Sequence, residues 1–351
     1  MLHAGMDMHK LFSVVTVVDD SGNEVVKGKK LLNRDLEIVE FFKSLQDKLR
    51  VVIEAGSNWM WMTDLLDDYG IENVLCHPLK TKAIASARIK TDKLDSLTLS
   101  QLLRANFIPE AYKPDQKARS LRELLRYRAS LVGKRTGIRN AIHALLARGN
   151  ISLPSSDIFG KKGMEYLLKL ELPPLRRFTL DGYLEVLKAL THEVKKAEEK
   201  IKEEYKSSPE AQLLSTVPGV GLILSLTILS EIGEISRFKR ARQLSSYCGL
   251  CPSTAQSGNT LRHGRITRQG SKWLRWAFVE AAIQASGKPG PLRDFYLKLK
   301  KRKGGKIARV AVARKISIYV FHMLKEKKTF AEVISLNRAL QGELEADTGC
   351  L

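Results

Sequence analysis

Strand signals at Ala4–Met8, Phe12–Val18 and Glu24–Leu32 most constrain this chain, because strands must pair with one another to satisfy their backbone groups. Asp20-Ser21-Gly22-Asn23 supplies the turn between the second and third. A helical pattern follows at Leu36–Leu49, then an apolar strand, Val51-Val52-Ile53-Glu54-Ala55. A helix around Trp59–Tyr69, a strand at Asn73–Cys76 and a helix containing Thr91 to Ala105 come next. Three hairpin-linked strands followed by β-α-β-α make an α/β layer on a mixed sheet.

That order is the order of the RNase H-like fold. After Pro109 and Pro114 the texture changes. Leu121, Leu124, Leu125, Arg128, Leu131 and Val132 recur at helical spacing, and the pattern runs on to Leu146. A loop rich in Ser, Pro and Gly occupies Asn150–Gly163. Helical sequence resumes at Met164–Leu170 and again, with alternating Lys and Glu, at Leu180–Tyr205. Two long amphipathic helices joined by a loop read as an antiparallel coiled-coil arm, or as a plain helical bundle. An apolar helix is expected at Leu222–Ile232, ahead of a basic helical region and a charged tail. The fold class is therefore α/β plus mostly α. The expected divisions are residues 1–110, an arm at 111–206, a nucleic-acid-binding domain at 207–325 and a tail at 326–351.

Charge points to the partner. The 351 residues carry a formal net charge of +21, and from Arg237 to Lys315 twenty Lys or Arg face only Glu280 and Asp294. Nearly all the excess sits in one segment that also holds Gly, Ser and Trp motifs, which favours a polyanion over a merely solvated face. No apolar run approaches the ~18 residues of a membrane span, and MLHAGMDMHK lacks the apolar core of a signal peptide. Cys76, Cys248, Cys251 and Cys350 suggest a reducing cytoplasm. Cys248 and Cys251 form a CxxC without a partner pair at zinc-finger spacing, so they read as small apolar residues.

Four acids stand out. Asp7 lies inside the first strand, where a carboxylate among apolar neighbours is costly unless something binds it. Glu54 ends the apolar run of its strand. Asp92 and Asp95 are three apart, on one face of a helix. Singly, the helical pair could be acids favoured by the dipole and Glu54 a salt-bridged strand end. In an RNase H-like sheet all four converge, and hard divalent cations would offset their repulsion.

Gly5-Met6-Asp7-Met8-His9-Lys10, Val52-Ile53-Glu54-Ala55-Gly56 and Lys90-Thr91-Asp92-Lys93-Leu94-Asp95 resemble the DEDD-type, RuvC-like domain of one insertion-sequence transposase family. That family, the IS one-hundred-ten type, contains the bridge-RNA-guided recombinases. The resemblance implies that Asp7, Glu54, Asp92 and Asp95 are its metal-binding acids, with Mg²⁺ as cofactor and Mn²⁺ able to replace it.

Pro252–Asn259 reads as a polar loop before a basic stretch. On residues alone, Ser257-Gly258 is a turn beside a phosphate-binding surface of Arg262, Arg265, Arg268, Lys272 and Arg275. Guanidinium groups there could hold a scissile phosphate. Trp273 and Trp276 could stack on bases, although their spacing suits a core. Gly249-Leu250, Pro252, Ser257-Gly258, Gly264-Arg265-Ile266-Thr267 and Gly270 through Leu274-Arg275 are similar to the C-terminal transposase domain of the same family. The similarity implies that Ser257 attacks DNA and becomes covalently linked to it, with Ser253 a distant second. Pro218-Gly219-Val220-Gly221 resembles a helix-hairpin-helix, in which Gly219 and Gly221 let backbone N–H groups approach a phosphate.

The expectation is a site-specific transposase that cuts and rejoins donor and target DNA, guided by a bridge RNA. Family resemblance implies acids of one protomer meeting the serine of another, in a homo-oligomer built as a dimer of dimers. Two other readings stay open: a junction-resolving nuclease using water as nucleophile, and a non-catalytic nucleic-acid-binding protein.

Overall fold

The structure, a computed structural model, describes residues 1–56, 58–85, 91–152, 157–257 and 260–339. Packing divides the chain into two units, Met1–Lys113 and Pro114–Leu351.

In the first unit, β1 (Leu2–Met8), β2 (Phe12–Val18) and β3 (Glu24–Leu32) form an antiparallel meander. Then come α1 (Asp35–Ser44), β4 (Leu49–Glu54), α2 (Trp59–Asp68), β5 (Glu72–Cys76), α3 (Pro78–Ile84) and α4 (Asp92–Arg104). The sheet order is β3-β2-β1-β4-β5, with β1, β4 and β5 parallel. This mixed sheet is consistent with the RNase H-like expectation. α1 stops five residues before Leu49, where its periodicity suggested an end: Gln46 takes a left-handed φ of 48°, and Leu49 already belongs to β4. Lys90 lies outside the described residues.

The two faces of the sheet have different jobs. Ala4, Met6, Val51 and Ile53 pack with Ile38, Phe42, Met62 and Leu66 under α1 and α2. The intervening residues face α4, where Val52 and Cys76 meet Leu99 and Leu103. Gly5 permits that packing. A Cβ there would stand 2.0 Å from the Ser96 carbonyl oxygen and 2.5 Å from the Ser100 amide nitrogen, both backbone atoms of α4. Thr16, opposite Gly5 on β2, hydrogen-bonds Ser96 Oγ at 2.8 Å in the buried seam. Gly5→Ala therefore must push α4 off the sheet, and the expected cost is about 3 kcal/mol, the upper part of the overpacking range. Denaturant unfolding checks it; a variant of wild-type stability would mean that α4 is not seated there.

The second unit is helical. α5 (Gln116–Arg148), α6 (Lys161–Lys169) and α7 (Pro174–Lys206) come first; residues 153–156 of the intervening loop lie outside the described ones. Leu180, Leu184, Leu187, Val194 and Ile201 of α7 are buried at alternating spacings near 3.5 residues. The end of α5 (Ile142, Leu145, Leu146) packs on the start of α7, and its start (Leu125) on Ile201, so the pair is antiparallel. Arg128 clips the two through Glu198 at 2.5 Å.

Next follow α8 (Pro209–Leu214), α9 (Leu222–Ile232), α10 (Ala241–Tyr247), β6 (Pro252–Ser257), β7 (Thr260–Ile266), α11 (Lys272–Ala285), α12 (Pro291–Lys303), α13 (Gly305–Glu326) and α14 (Phe330–Ala339). Residues 340–351 of the expected tail, Cys350 among them, lie outside the described residues. α11 presents Ala277, Ala281 and Ala285 to the core, which lets α9 and α13 approach closely. The buried Glu231 ties the unit together. It accepts from Arg126 at 2.6 Å and from Ser271 at 2.9 Å, while Ser271 also caps α11 by accepting from the Leu274 N–H. Where the sequence suggested a polar loop, β6 and β7 form an antiparallel hairpin with Ser257 opposite Thr260 and Ala255 opposite Arg262. Thr254, Thr260 and Ile266 supply β-branched residues, and two residues separate the strands, a spacing that favours a hairpin over a free loop.

Candidate active site

Asp7 and Glu54 come together through strand register. The parallel pairing of β1 and β4 ends with Met6 opposite Ile53, so the two acids are the next residues on adjacent strands. Each lies two residues beyond a position that packs under α4 (Gly5 and Val52), and so shares its face. α4 begins at Asp92, one turn before the Ser96 that rests on Gly5. Thr91 caps the helix by accepting from the Leu94 N–H at 3.2 Å. All four sequence-nominated acids therefore belong to one neighbourhood, at the carboxyl ends of the central strands.

Electrostatics bear the marks of crowding. Desolvation holds the Asp7 carboxyl above its ordinary pKa; the imidazole of His9 pulls it down, and the charges of Asp92, Asp95 and Glu54 push it up again. His9 is the residue that sequence reasoning passed over. Its Nε2 lies 3.4 Å from Asp7 Oδ2 and 3.0 Å from Asp92 Oδ2. Asp7, His9 and Asp92 each offer a ligand atom, all within 4.8 Å of one another. The available signal was period two: His9 follows Asp7 by two residues, just past the end of the central strand β1.

These residues fit a divalent cation. Shielded from solvent, His9 Nε2 has no hydrogen-bond partner, although two carboxylates are beside it. Partly desolvated carboxylates beside an orphaned imidazole nitrogen form a donor set that a cation would neutralise.

The second unit separates the basic residues by role. Arg262, Arg265, Arg268 and Lys272 are exposed around the hairpin and the start of α11. Arg275 is engaged inward: its Nη1 donates to the carbonyls of Cys248 at 3.3 Å and Arg268 at 3.0 Å. Gly219 has φ +90°, and its missing Cβ would sit 2.5 Å from the Ala281 carbonyl, so α11 occupies that side. Gly221, the residue before α9, has open space where its Cβ would be. Trp273 and Trp276 meet edge to face with centroids 5.9 Å apart, and Arg126 stands 5.7 Å from the Trp273 ring. Burial pushes the Cys248 thiol far up, as suits a core residue of the CxxC. Ser257 ends β6; Gly258 and Asn259 lie outside the described residues.

Comparison with known proteins places this arrangement. A profile for the DEDD domain of IS110 elements, described as Transposase, matches residues 4–151. A second, described as Transposase IS116/IS110/IS902 family, matches residues 211–297. The chain is 24% identical to the insertion element IS116 uncharacterized 44.8 kDa protein of Streptomyces clavuligerus, over 93% of this chain and 95% of that one. It is 26% identical to the transposase for insertion sequence element IS1111A of Coxiella burnetii, over 80% and 79% of the two chains. A shorter match, 32% identical over 34% of this chain and 38% of the other, joins it to the pilin gene-inverting protein of Moraxella bovis. The chain belongs to the IS110 family of insertion-sequence transposases, whose activity is DNA recombination. The DEDD domain points to use of a divalent metal. Among the described residues, no helix is long and apolar enough to cross a membrane.

Proposed function

We propose that this chain cuts and rejoins DNA at the ends and target of its own insertion sequence through a phosphoserine intermediate on Ser257, with a bridge RNA choosing the sites. The observation that carries the catalytic half is the convergence of Asp7, Asp92, Asp95 and Glu54 on one partly desolvated point beside an imidazole nitrogen that makes no hydrogen bond. Asp7, Glu54, Asp92 and Asp95 would hold Mg²⁺, or Mn²⁺ in its place. When bound, the ion supplies Lewis-acid polarisation of the phosphodiester and lowers the cost of removing a hydroxyl proton.

The chain's own residues do the rest. The Ser257 hydroxyl gives up its proton, its oxygen bonds to phosphorus, and the departing sugar oxygen leaves the phosphorus and takes up a proton. Attack by that sugar hydroxyl's counterpart on another DNA strand reverses the bonds and frees the serine. Arg262, Arg265, Arg268 and Lys272 grip phosphates around the reacting bond. Arg275 holds the turn that leads from the hairpin into α11, and Gly221 leaves room for a phosphate before α9. Acids and serine come from different protomers of a homo-oligomer, a dimer of dimers, with the α5–α7 arm as its assembly element.

The test is reconstitution. Purified chain, DNA carrying the element ends, target DNA, RNA transcribed from the element's flank and Mg²⁺ should together yield joined recombinants, and chelation of the metal should stop both cutting and joining. Free cut ends without joints, formed equally well without the RNA, would favour the second reading: a RuvC-like junction-resolving nuclease in which water replaces the serine.

A further inference from the structure

The acidic centre of the first unit contains a nitrogen donor that its four carboxylates do not account for. His9 Nε2 stands 3.0 Å from Asp92 Oδ2 and 3.4 Å from Asp7 Oδ2. Both are ion-pair distances when the imidazole is protonated, but neither contact is aligned as a hydrogen bond, so a neutral imidazole leaves this nitrogen's lone pair free beside the carboxylates. Contacts elsewhere fix the residue. The His9 N–H donates to the Phe12 carbonyl at 2.9 Å, and the two rings pack at a tilt of 33° with centroids 4.7 Å apart. Asn33 Nδ2 donates to the His9 carbonyl at 2.8 Å. The imidazole is thus held in place by the β1–β2 turn and the end of β3, with its Nε2 brought to the carboxylates.

Spacing identifies what that nitrogen could share with them. In octahedral coordination with bonds of about 2.1 Å, neighbouring ligand atoms lie about 3 Å apart. His9 Nε2 stands at separations of that order from Asp92 Oδ2 (3.0 Å) and Asp7 Oδ2 (3.4 Å), and ligand atoms of all three residues lie within 4.8 Å of one another.

We infer that His9 Nε2 is a direct ligand of the divalent ion held by Asp7 and Asp92, which makes the centre a mixed nitrogen and oxygen site. This rests on the metal reading above and adds a consequence to it. Carboxylate and water sets suit Mg²⁺, whereas imidazole favours transition ions. The centre therefore binds Mn²⁺ more tightly than Mg²⁺, and His9 sets most of that preference.

The experiment uses the full chain with Mn²⁺ as the probe, read by calorimetry and by electron spin-echo modulation. Wild-type protein should show the nitrogen coupling of a directly bound imidazole. His9→Gln and His9→Asn should lose that coupling and bind Mn²⁺ about tenfold or more weakly, since loss of even an outer-shell partner costs that much. Their Mg²⁺ affinity should fall less, and their thermal unfolding without metal should match the wild type closely. Bound Mn²⁺ without nitrogen coupling, or coupling that survives both substitutions, would overturn the ligand assignment while leaving the carboxylate site intact. A chain that binds no Mn²⁺, or binds it as well after Asp7→Asn, would overturn both.

Discussion

Asp7→Asn is expected to abolish strand cleavage while leaving nucleic-acid binding intact. The substitution is nearly isosteric, keeps β1 in the sheet and removes the charge at the point where carboxylates of β1, β4 and α4 meet. A metal's stabilisation of transition-state charge is worth several kcal/mol. Loss of at least about a thousandfold in rate is expected, since each 1.36 kcal/mol is tenfold. Affinity for DNA or RNA should stay near wild type, because the basic surplus lies between Arg237 and Lys315. The same variant carries a stability signature. Desolvation and neighbouring acids raise the Asp7 pKa in the folded chain, so the folded state holds that proton more tightly than the unfolded state does. Stability of the metal-free wild type therefore falls as pH rises from the ordinary carboxylate range through the raised value. Metal-free Asp7→Asn should melt higher than wild type at neutral pH and equally at strongly acidic pH, and it should gain little from added Mg²⁺. Undiminished recombination by Asp7→Asn in Mg²⁺, or a lower melting temperature at neutral pH, would remove Asp7 from the centre.

What the sequence disclosed here follows the range of each physical signal. Strand propensity is local, so β2 and β3 were legible to the residue, and the largely apolar run Leu222–Ile232 gave α9 its limits. Order along the chain then gave the sheet type, and with it the neighbourhood of Asp7, Glu54, Asp92 and Asp95. Features that depend on contacts distant in sequence stayed hidden. Gly5 reads as an ordinary strand residue until Ser96 and Ser100 come to rest on it. Arg275 looks like one more cation in a basic stretch, yet two backbone carbonyls take up its Nη1. The need for glycine at position 219 is set by α11, since the Ala281 carbonyl stands 2.5 Å from where a Cβ would be. The β6–β7 hairpin escaped for a different reason: polar and basic residues on a two-stranded ribbon give no apolar alternation to read. His9 lay in plain view beside Asp7, but only the turn to Phe12 and the approach of α4 bring it to Asp92.

Ser257→Ala should eliminate both the protein–DNA adduct and recombination. If the Ser257 hydroxyl is the nucleophile, cleavage stores the phosphodiester's bond energy in a phosphoserine ester, and rejoining needs no outside energy source. Reactions trapped with detergent should then contain DNA bound covalently to protein, released by protease and mapping to the peptide that spans the end of β6. A methyl group at 257 can neither lose a proton nor bond to phosphorus, so the expected loss is about ten-thousandfold or more, over 5 kcal/mol in the barrier. Ser253→Ala is the control. Ser253 lies at the base of the hairpin, where its Oγ fills the space that a Cβ on Gly264 would need, so its hydroxyl has a packing neighbour within the ribbon. Removing it should cost a few-fold in rate at most. The acids give the second control: Asp7→Asn should also fail to form adduct, but protein carrying Asp7→Asn mixed with protein carrying Ser257→Ala should regain part of the cleavage if each site takes acids from one protomer and serine from another. Water-driven nuclease chemistry predicts the opposite pattern throughout. Ser257→Ala would cut normally, leaving free 3′-hydroxyl and 5′-phosphate ends and no adduct, and mixing would restore nothing beyond what the Ser257→Ala protein does alone.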